Sequence, residues 1–194
     1  MKKVAVIIYP GFCLFEFSTA LENLALSKQC AIDVFGEKVG PVRSEEGLLA
    51  VAEYPLDTLL VENYDALLLT GFDDDDVAII KNEQFLSIIQ EFHRQNKVIA
   101  AISAAPVFLL KAGVLDGKQF MCAIPKFALC QLGFPEEVLI HGLDWEEAKT
   151  MYPDLRFIRD GNIITAMAYG YQEWGLEISR MLNLPVRPTT FGIK

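Results

Sequence analysis

The chain has 194 residues, of which 52% are hydrophobic and 22% charged, so it can build one domain around a sizeable core and is not a disordered or low-complexity segment. A net charge of −9 argues against non-specific binding to nucleic acid or to an anionic membrane surface, both of which need cationic contacts. No apolar run reaches the length of a membrane span, and the short run after Met1-Lys-Lys lacks a convincing cleavage site; the start reads as a first strand and the protein as cytoplasmic.

In chain order, residues 3–9 read as a strand, 10–15 as a loop and 16–28 as a helix with Leu21, Leu24 and Ala25 on one face. A second strand spans 30–35, and 39–54 read as short antiparallel strands around Glu45-Glu46-Gly47. After a turn at 57–60, residues 64–69 are apolar enough for a buried parallel strand. The run Asp73-Asp-Asp-Asp76 reads as a solvated loop whose last aspartate caps a helix; a magnesium site there would need ligands from elsewhere that the sequence does not show. Residues 83–95 place Phe85, Ile88, Ile89 and Phe92 at helical spacing. Beyond the segment treated next, a strand is expected at 118–123, a short helix at 126–131, a strand at 138–140 and a helix at 144–151 begun by Asp144. A hairpin joins 156–159 to 163–166 through Asp160-Gly161, a long helix follows at 172–182, and the tail 185–194 reads as extended. Strands alternating with helices give an α/β class: a three-layer α/β/α sandwich on a mostly parallel sheet, as a single domain over 1–194.

The stretch Lys97-Val-Ile-Ala-Ala-Ile-Ser103-Ala-Ala-Pro106 carries the most information about function. A β-favouring apolar run meets one hydroxyl residue, then small residues, then a helix with Pro106 in its first turn. Ser103 therefore sits at the corner where a buried strand turns into a helix, beyond the carboxyl edge of the sheet, a place where nucleophilic enzymes hold their nucleophile. The same residue in the same place also serves as an ordinary N-cap. Cys13, Cys30, Cys122 and Cys130 form no CxxC pair, and His93 and His141 lie in no ligand pattern; neither a metal nor another cofactor is expected.

The segment from Ala100 to Lys118 resembles the elbow of the DJ-1/PfpI family, also called ThiJ/PfpI or class I glutamine amidotransferase-like, where the pattern runs Ala-Ile-Cys-x-Gly/Ala-Pro, an apolar helix, then Ala-Gly-Leu-Leu-Asp-Gly. Three further pieces resemble the family in the right order: Val4 to Glu16, its first strand and glutamate-bearing loop; Tyr64 to Gly71, its strand ending in Pro-Gly-Gly; and Asp160 to Thr165 with the helix that follows. The resemblance implies a flavodoxin-like sheet, a homodimer, and a pocket in which Glu16 pairs with the elbow residue. Glu16 is equally readable as a carboxylate favoured by a helix N-terminus.

Against that family pattern, Ser103 stands where the resemblance implies a cysteine, and Ala123 where it implies a histidine. A serine hydroxyl needs an aligned general base. Gly71 and Phe72 replace a glycine pair, so the Phe72 N–H remains a donor while its ring narrows the approach. Cys122 is placed beside the pocket, Ala104 lines it, and Tyr169 and Tyr171 add aromatic wall. The preferred expectation is a protein that binds or senses a small molecule without the family's thiol chemistry, with no nucleic acid or membrane partner. The alternatives are a hydrolase or lyase using Ser103 or Glu16, assisted by His141, amidase-like or resembling isonitrile hydration, and a dimeric interaction module with no ligand.

Overall fold

The structure is a computed structural model that describes residues 1–73 and 78–193. Its elements run β1 (Lys2–Ile7), α1 (Leu14–Ser27), β2 (Cys30–Gly36), β3 (Gly40–Arg43), β4 (Leu49–Ala52), β5 (Tyr54–Pro55), β6 (Ala66–Leu69), α2 (Glu83–Arg94), β7 (Val98–Ile102), α3 (Pro106–Lys111), β8 (Phe120–Met121), α4 (Lys126–Gln131), α5 (Glu136–Leu139), β9 (Gly142–Leu143), α6 (Trp145–Met151), β10 (Phe157–Asp160), β11 (Ile163–Ala166) and α7 (Tyr171–Met181).

Seven strands form one sheet in the order β10-β11-β7-β6-β1-β2-β5. Every pairing in it is parallel except β10 with β11, the hairpin expected from Asp160-Gly161. β7 lies between β6 and β11, and all five of its residues are buried, with Ile99 and Ile102 fully so. A strand covered on both faces must be apolar throughout, which is why this one carries no alternation. α1 and α7 pack together over one face, and α2 and α3 over the other, giving the three layers of an α/β sandwich.

Several boundaries differ from expectation. Residues 138–140 lie at the end of α5 and just beyond it; Pro135 precedes that helix and Glu136 and Glu137 occupy its first turn, which outweighs the β-branched run. The strand there is β9, which pairs with a β8 shortened to Phe120–Met121. The tail holds a 3-10 turn at Pro188–Phe191 and is not extended throughout. α1 starts two residues early because a distant carboxylate caps it: Glu46 accepts the N–H groups of Leu14 at 3.2 Å and Phe15 at 2.9 Å. α2 is capped by Asn82, and the capping proposed for Asp76 lies outside the described residues, as do Asp74 and Asp75. Asp144 caps α6 in a reciprocal box with Glu147. No helix among the described residues is long and apolar enough to cross a membrane.

Candidate functional site

Three loops leaving the carboxyl edge of the sheet meet at one point, as the geometry of an open α/β sheet requires. The first, after β1, leads into α1, whose first turn carries Glu16; the second, after β6, carries Gly71; the third, after β7, is Ser103 itself. Glu16 is 1% exposed and accepts the Gly71 N–H at 2.7 Å. A methyl group built on Gly71 would stand 2.8 Å from both Cβ and Oγ of Ser103 and 3.2 Å from Oε2 of Glu16. Glycine is thus required at 71 because two functional side chains occupy the space a Cβ would take.

Ser103 is not an N-cap. The N-cap of α3 is Ala105, with no side-chain hydrogen bond, and Ser103 lies two residues before it with φ at +62°, in the left-handed region. Left-handed backbone costs a non-glycine residue on the order of 1–2 kcal/mol. Two hydrogen bonds hold it there: the Ser103 N–H donates to Ala166 at 2.8 Å, and its carbonyl accepts the Ala123 N–H at 2.8 Å. The corner between β7 and α3 is therefore over-determined by β11 on one side and the chain leaving β8 on the other, which turns the Ser103 side chain toward Gly71.

Burial in this apolar surround pushes the Glu16 carboxyl up to about 7, against the lowering effect of the Gly71 N–H and of hydrogen bonds with the Ser103 and Cys13 side chains; the charge of Glu45 adds to the rise. Cys13 is buried, and its thiol donates to Glu45 at 3.0 Å. Burial, that bond and the neighbouring carboxylates hold this thiol far above the ordinary thiol range, so it is no nucleophile. Cys13 Sγ and one oxygen each of Glu45 and Glu46 lie within 4.8 Å of one another, a spacing that suits a cation. The thiol–carboxylate bond and the capping role of Glu46 account for the cluster without one.

The other expected lining residues separate. Ala104 is buried next to Ser103, and Ala123 is tied to the Ser103 carbonyl. The Phe72 ring stacks on Phe108 at 5.2 Å and meets Tyr9 edge-on at 6.2 Å, so it is committed to an aromatic cluster. Cys122 is 1% exposed; burial pushes its thiol up to about 12 despite the Ile124 and Val107 N–H groups, and it lines a narrow cleft with Phe120, Leu129 and Leu143, a different set of neighbours from those of Glu16. Tyr169 packs on Trp145 at 5.6 Å, beneath the Arg156 guanidinium, in an open groove of about 560 Å³ that also includes Lys149 and Gln172. Tyr171 is the aromatic residue beside the α1 loop, meeting Phe15 edge-on at 5.5 Å.

His141 is exposed and lies just before β9; with Phe120 opposite Gly142 in the parallel β8–β9 pair, it is level with Gln119, ahead of the start of β8. The roles of Tyr9, Cys13 and Glu45 around Glu16 had no signal in the sequence: Glu45 arrives from a hairpin 32 positions away from Cys13.

A family model described as the DJ-1/PfpI family matches residues 2–181. An uncharacterized protein of Methanocaldococcus jannaschii is 27% identical over 171 residues, covering 88% of this chain and 75% of that protein. A deglycase of Pyrococcus horikoshii is 24% identical over 127 residues, covering 66% of this chain and 67% of that protein. The crystal structure of a DJ-1 superfamily protein from Agrobacterium tumefaciens matches with a TM-score of 0.77 at 19% identity, covering 99% of this chain and 95% of that one, a likeness of fold. With a strand-to-helix elbow, a buried glutamate beside it and a family match over nearly the whole length, this chain belongs to the DJ-1/PfpI family.

Proposed function

We propose that this protein binds or senses a small molecule at the corner where Glu16, Gly71 and Ser103 meet, and does so without the thiol chemistry that the family resemblance implies. The observation that carries the reading is the Glu16 carboxyl: buried, oriented by the Gly71 N–H, and adjoining Ser103. Ser103 holds the position where the resemblance implies a cysteine. Its hydroxyl does not ionise near neutrality, and the loss of base assistance is worth ~10²–10⁴-fold in rate. What remains is a polar pair in an apolar corner, with one donor and one titratable acceptor, which fixes the orientation of a small ligand.

A second reading is favoured by one specific feature. A carboxyl raised to about 7 exchanges its proton near neutrality, as a general acid or base must. On this reading Glu16 is the working group and Ser103 positions the substrate. That one relative is a deglycase supports a catalytic reading.

The test is a side-by-side screen of wild type, Ser103→Ala and Glu16→Gln against esters, amides, glyoxals and isonitriles. The binding reading expects no turnover that depends on Ser103. Robust wild-type turnover abolished by Ser103→Ala overturns it and establishes a serine nucleophile. Turnover lost only in Glu16→Gln establishes carboxylate acid–base chemistry. We further propose that the protein works as a homodimer, joined through the outward face of the β3–β4 hairpin, where Leu49 and Val51 are exposed.

A further inference from the structure

One peptide unit joins two buried side chains that are distant in sequence. The Thr70 carbonyl accepts a hydrogen bond from the Tyr9 hydroxyl, and the N–H of the same peptide, that of Gly71, donates to Glu16 Oε2 at 2.7 Å. Tyr9 is 1% exposed, and its ring is fixed edge-on against Phe72, Phe85 and Phe108, so packing aims the hydroxyl. Thr70 is fully buried; its own hydroxyl has no partner among the described residues, and the Tyr9 proton is given to the backbone carbonyl. Burial and the charge of Glu16 hold the Tyr9 phenol well above its ordinary range, which keeps it a donor throughout.

A peptide group is conjugated, so a hydrogen bond at its oxygen withdraws density from its nitrogen and strengthens the N–H as a donor. We infer that Tyr9 is a positioning residue for Glu16, acting through the Thr70–Gly71 peptide to hold the Glu16 carboxylate in place and favour its ionised form. The inference rests on the reading of Glu16 as the working carboxyl of the site. Four other groups act on Glu16: the Gly71 N–H and the Cys13 and Ser103 side chains favour its charge, and Glu45 opposes it. Tyr9 acts through the first of these, the Gly71 N–H, and makes no hydrogen bond to Cys13, Ser103 or Glu45 among the described residues, so its effect is separable from those three.

The experiment is a carbon-13 NMR titration of protein labelled at glutamate carboxyls, with the Glu16 signal assigned by its loss in Glu16→Gln. Removing the phenol in Tyr9→Phe is expected to raise the Glu16 midpoint by roughly 0.2–0.6 pH unit and to shift the Gly71 amide proton upfield. Placing 3-fluorotyrosine, a stronger donor of the same shape, at position 9 alone is expected to lower the midpoint. Phe85→Leu perturbs the same aromatic cluster without touching the hydrogen-bonded chain, and should leave the midpoint in place. A folded Tyr9→Phe protein with the wild-type midpoint, or an equal shift in Phe85→Leu, overturns the inference. Should Tyr9→Phe fail to fold, the fluorotyrosine protein decides, and an unmoved midpoint there overturns it. A wild-type midpoint in the ordinary carboxylate range that still responds to Tyr9 overturns the reading of Glu16 and leaves the relay standing. An elevated midpoint indifferent to Tyr9 does the reverse.

Discussion

Glu16 gains one strong hydrogen bond from Gly71 but loses most of its hydration, and the second effect is larger, so the folded protein binds the Glu16 proton more tightly than the unfolded chain does. The stabilisation from that proton is fully present below the unfolded value near 4.5 and is lost as pH rises through the folded value of about 7. The loss amounts to roughly 3 kcal/mol between these limits if the carboxyl keeps its burial. Glu16→Gln should abolish this slope: urea denaturation at pH 5 and pH 8 is expected to give a larger drop for wild type than for the variant, and equal drops would remove Glu16 from the account. Ser103 yields a second test at the same scale. Both Ser103→Gly and Ser103→Ala delete the hydroxyl, but only glycine relieves the left-handed backbone at φ +62°. Ser103→Gly should therefore be more stable than Ser103→Ala by roughly 1 kcal/mol, measured by the same denaturation.

The elements matter to the site through α1, which carries Glu16 and must be held against α7. The two helices approach so closely at Gly175 that a Cβ there would stand 2.6 Å from the Ala20 backbone nitrogen. Asn23 then stitches the pair, donating to Ser179 Oγ at 2.7 Å and to the Pro185 carbonyl at 3.1 Å while accepting the Arg187 N–H at 3.1 Å. Gly175→Ala has rigid backbone to collide with, so it should cost about 1–3 kcal/mol and shift the Glu16 titration as α1 moves; a variant as stable as wild type would show that the helices separate freely. The strands and helices that define this frame were legible because their apolar period is set by local burial: β7 by its unbroken run, α2 by Phe85, Ile88, Ile89 and Phe92. The elbow was legible too, because a lone hydroxyl between an apolar strand and a proline has few places to go. What was not legible depends on chain segments far apart in sequence. The α1 start is set by Glu46, a cap from a hairpin, and the identity of the site's neighbours by Tyr9, Cys13 and Glu45. Cys122 and Tyr169 adjoin the elbow in the chain trace, yet one side chain turns into the core and the other onto Trp145, which no spacing rule distinguishes.

At the scale of the whole molecule, the sheet leaves the β3–β4 hairpin outside its ladder as a separate two-stranded ribbon. Side chains alternate across such a ribbon, so burying Ala52 against the core sends Leu49 and Val51 outward, at 59% and 58% exposed. Val39 and Leu48, at 60% each, lie at the two ends of the hairpin. Apolar side chains gathered on one small ribbon of a chain with net charge −9 are costly to leave in water, and in the proposed homodimer a second copy of the ribbon would cover them. The same hairpin supplies Glu45 and Glu46, so a partner seated on it would fix the carboxylates that adjoin Cys13 and Glu16. Sedimentation equilibrium is expected to give a dimer for wild type and a monomer for Leu49→Asp combined with Val51→Asp, since a buried charge at the centre of an interface costs about 2 kcal/mol or more. In the monomeric variant the hairpin should loosen, the Glu46 cap on α1 should weaken, and amide exchange at Leu14 and Phe15 should quicken relative to β7. A wild-type protein that sediments as a monomer, or a doubly substituted protein that remains a dimer, would move the assembly surface elsewhere and leave the hairpin with only its capping role.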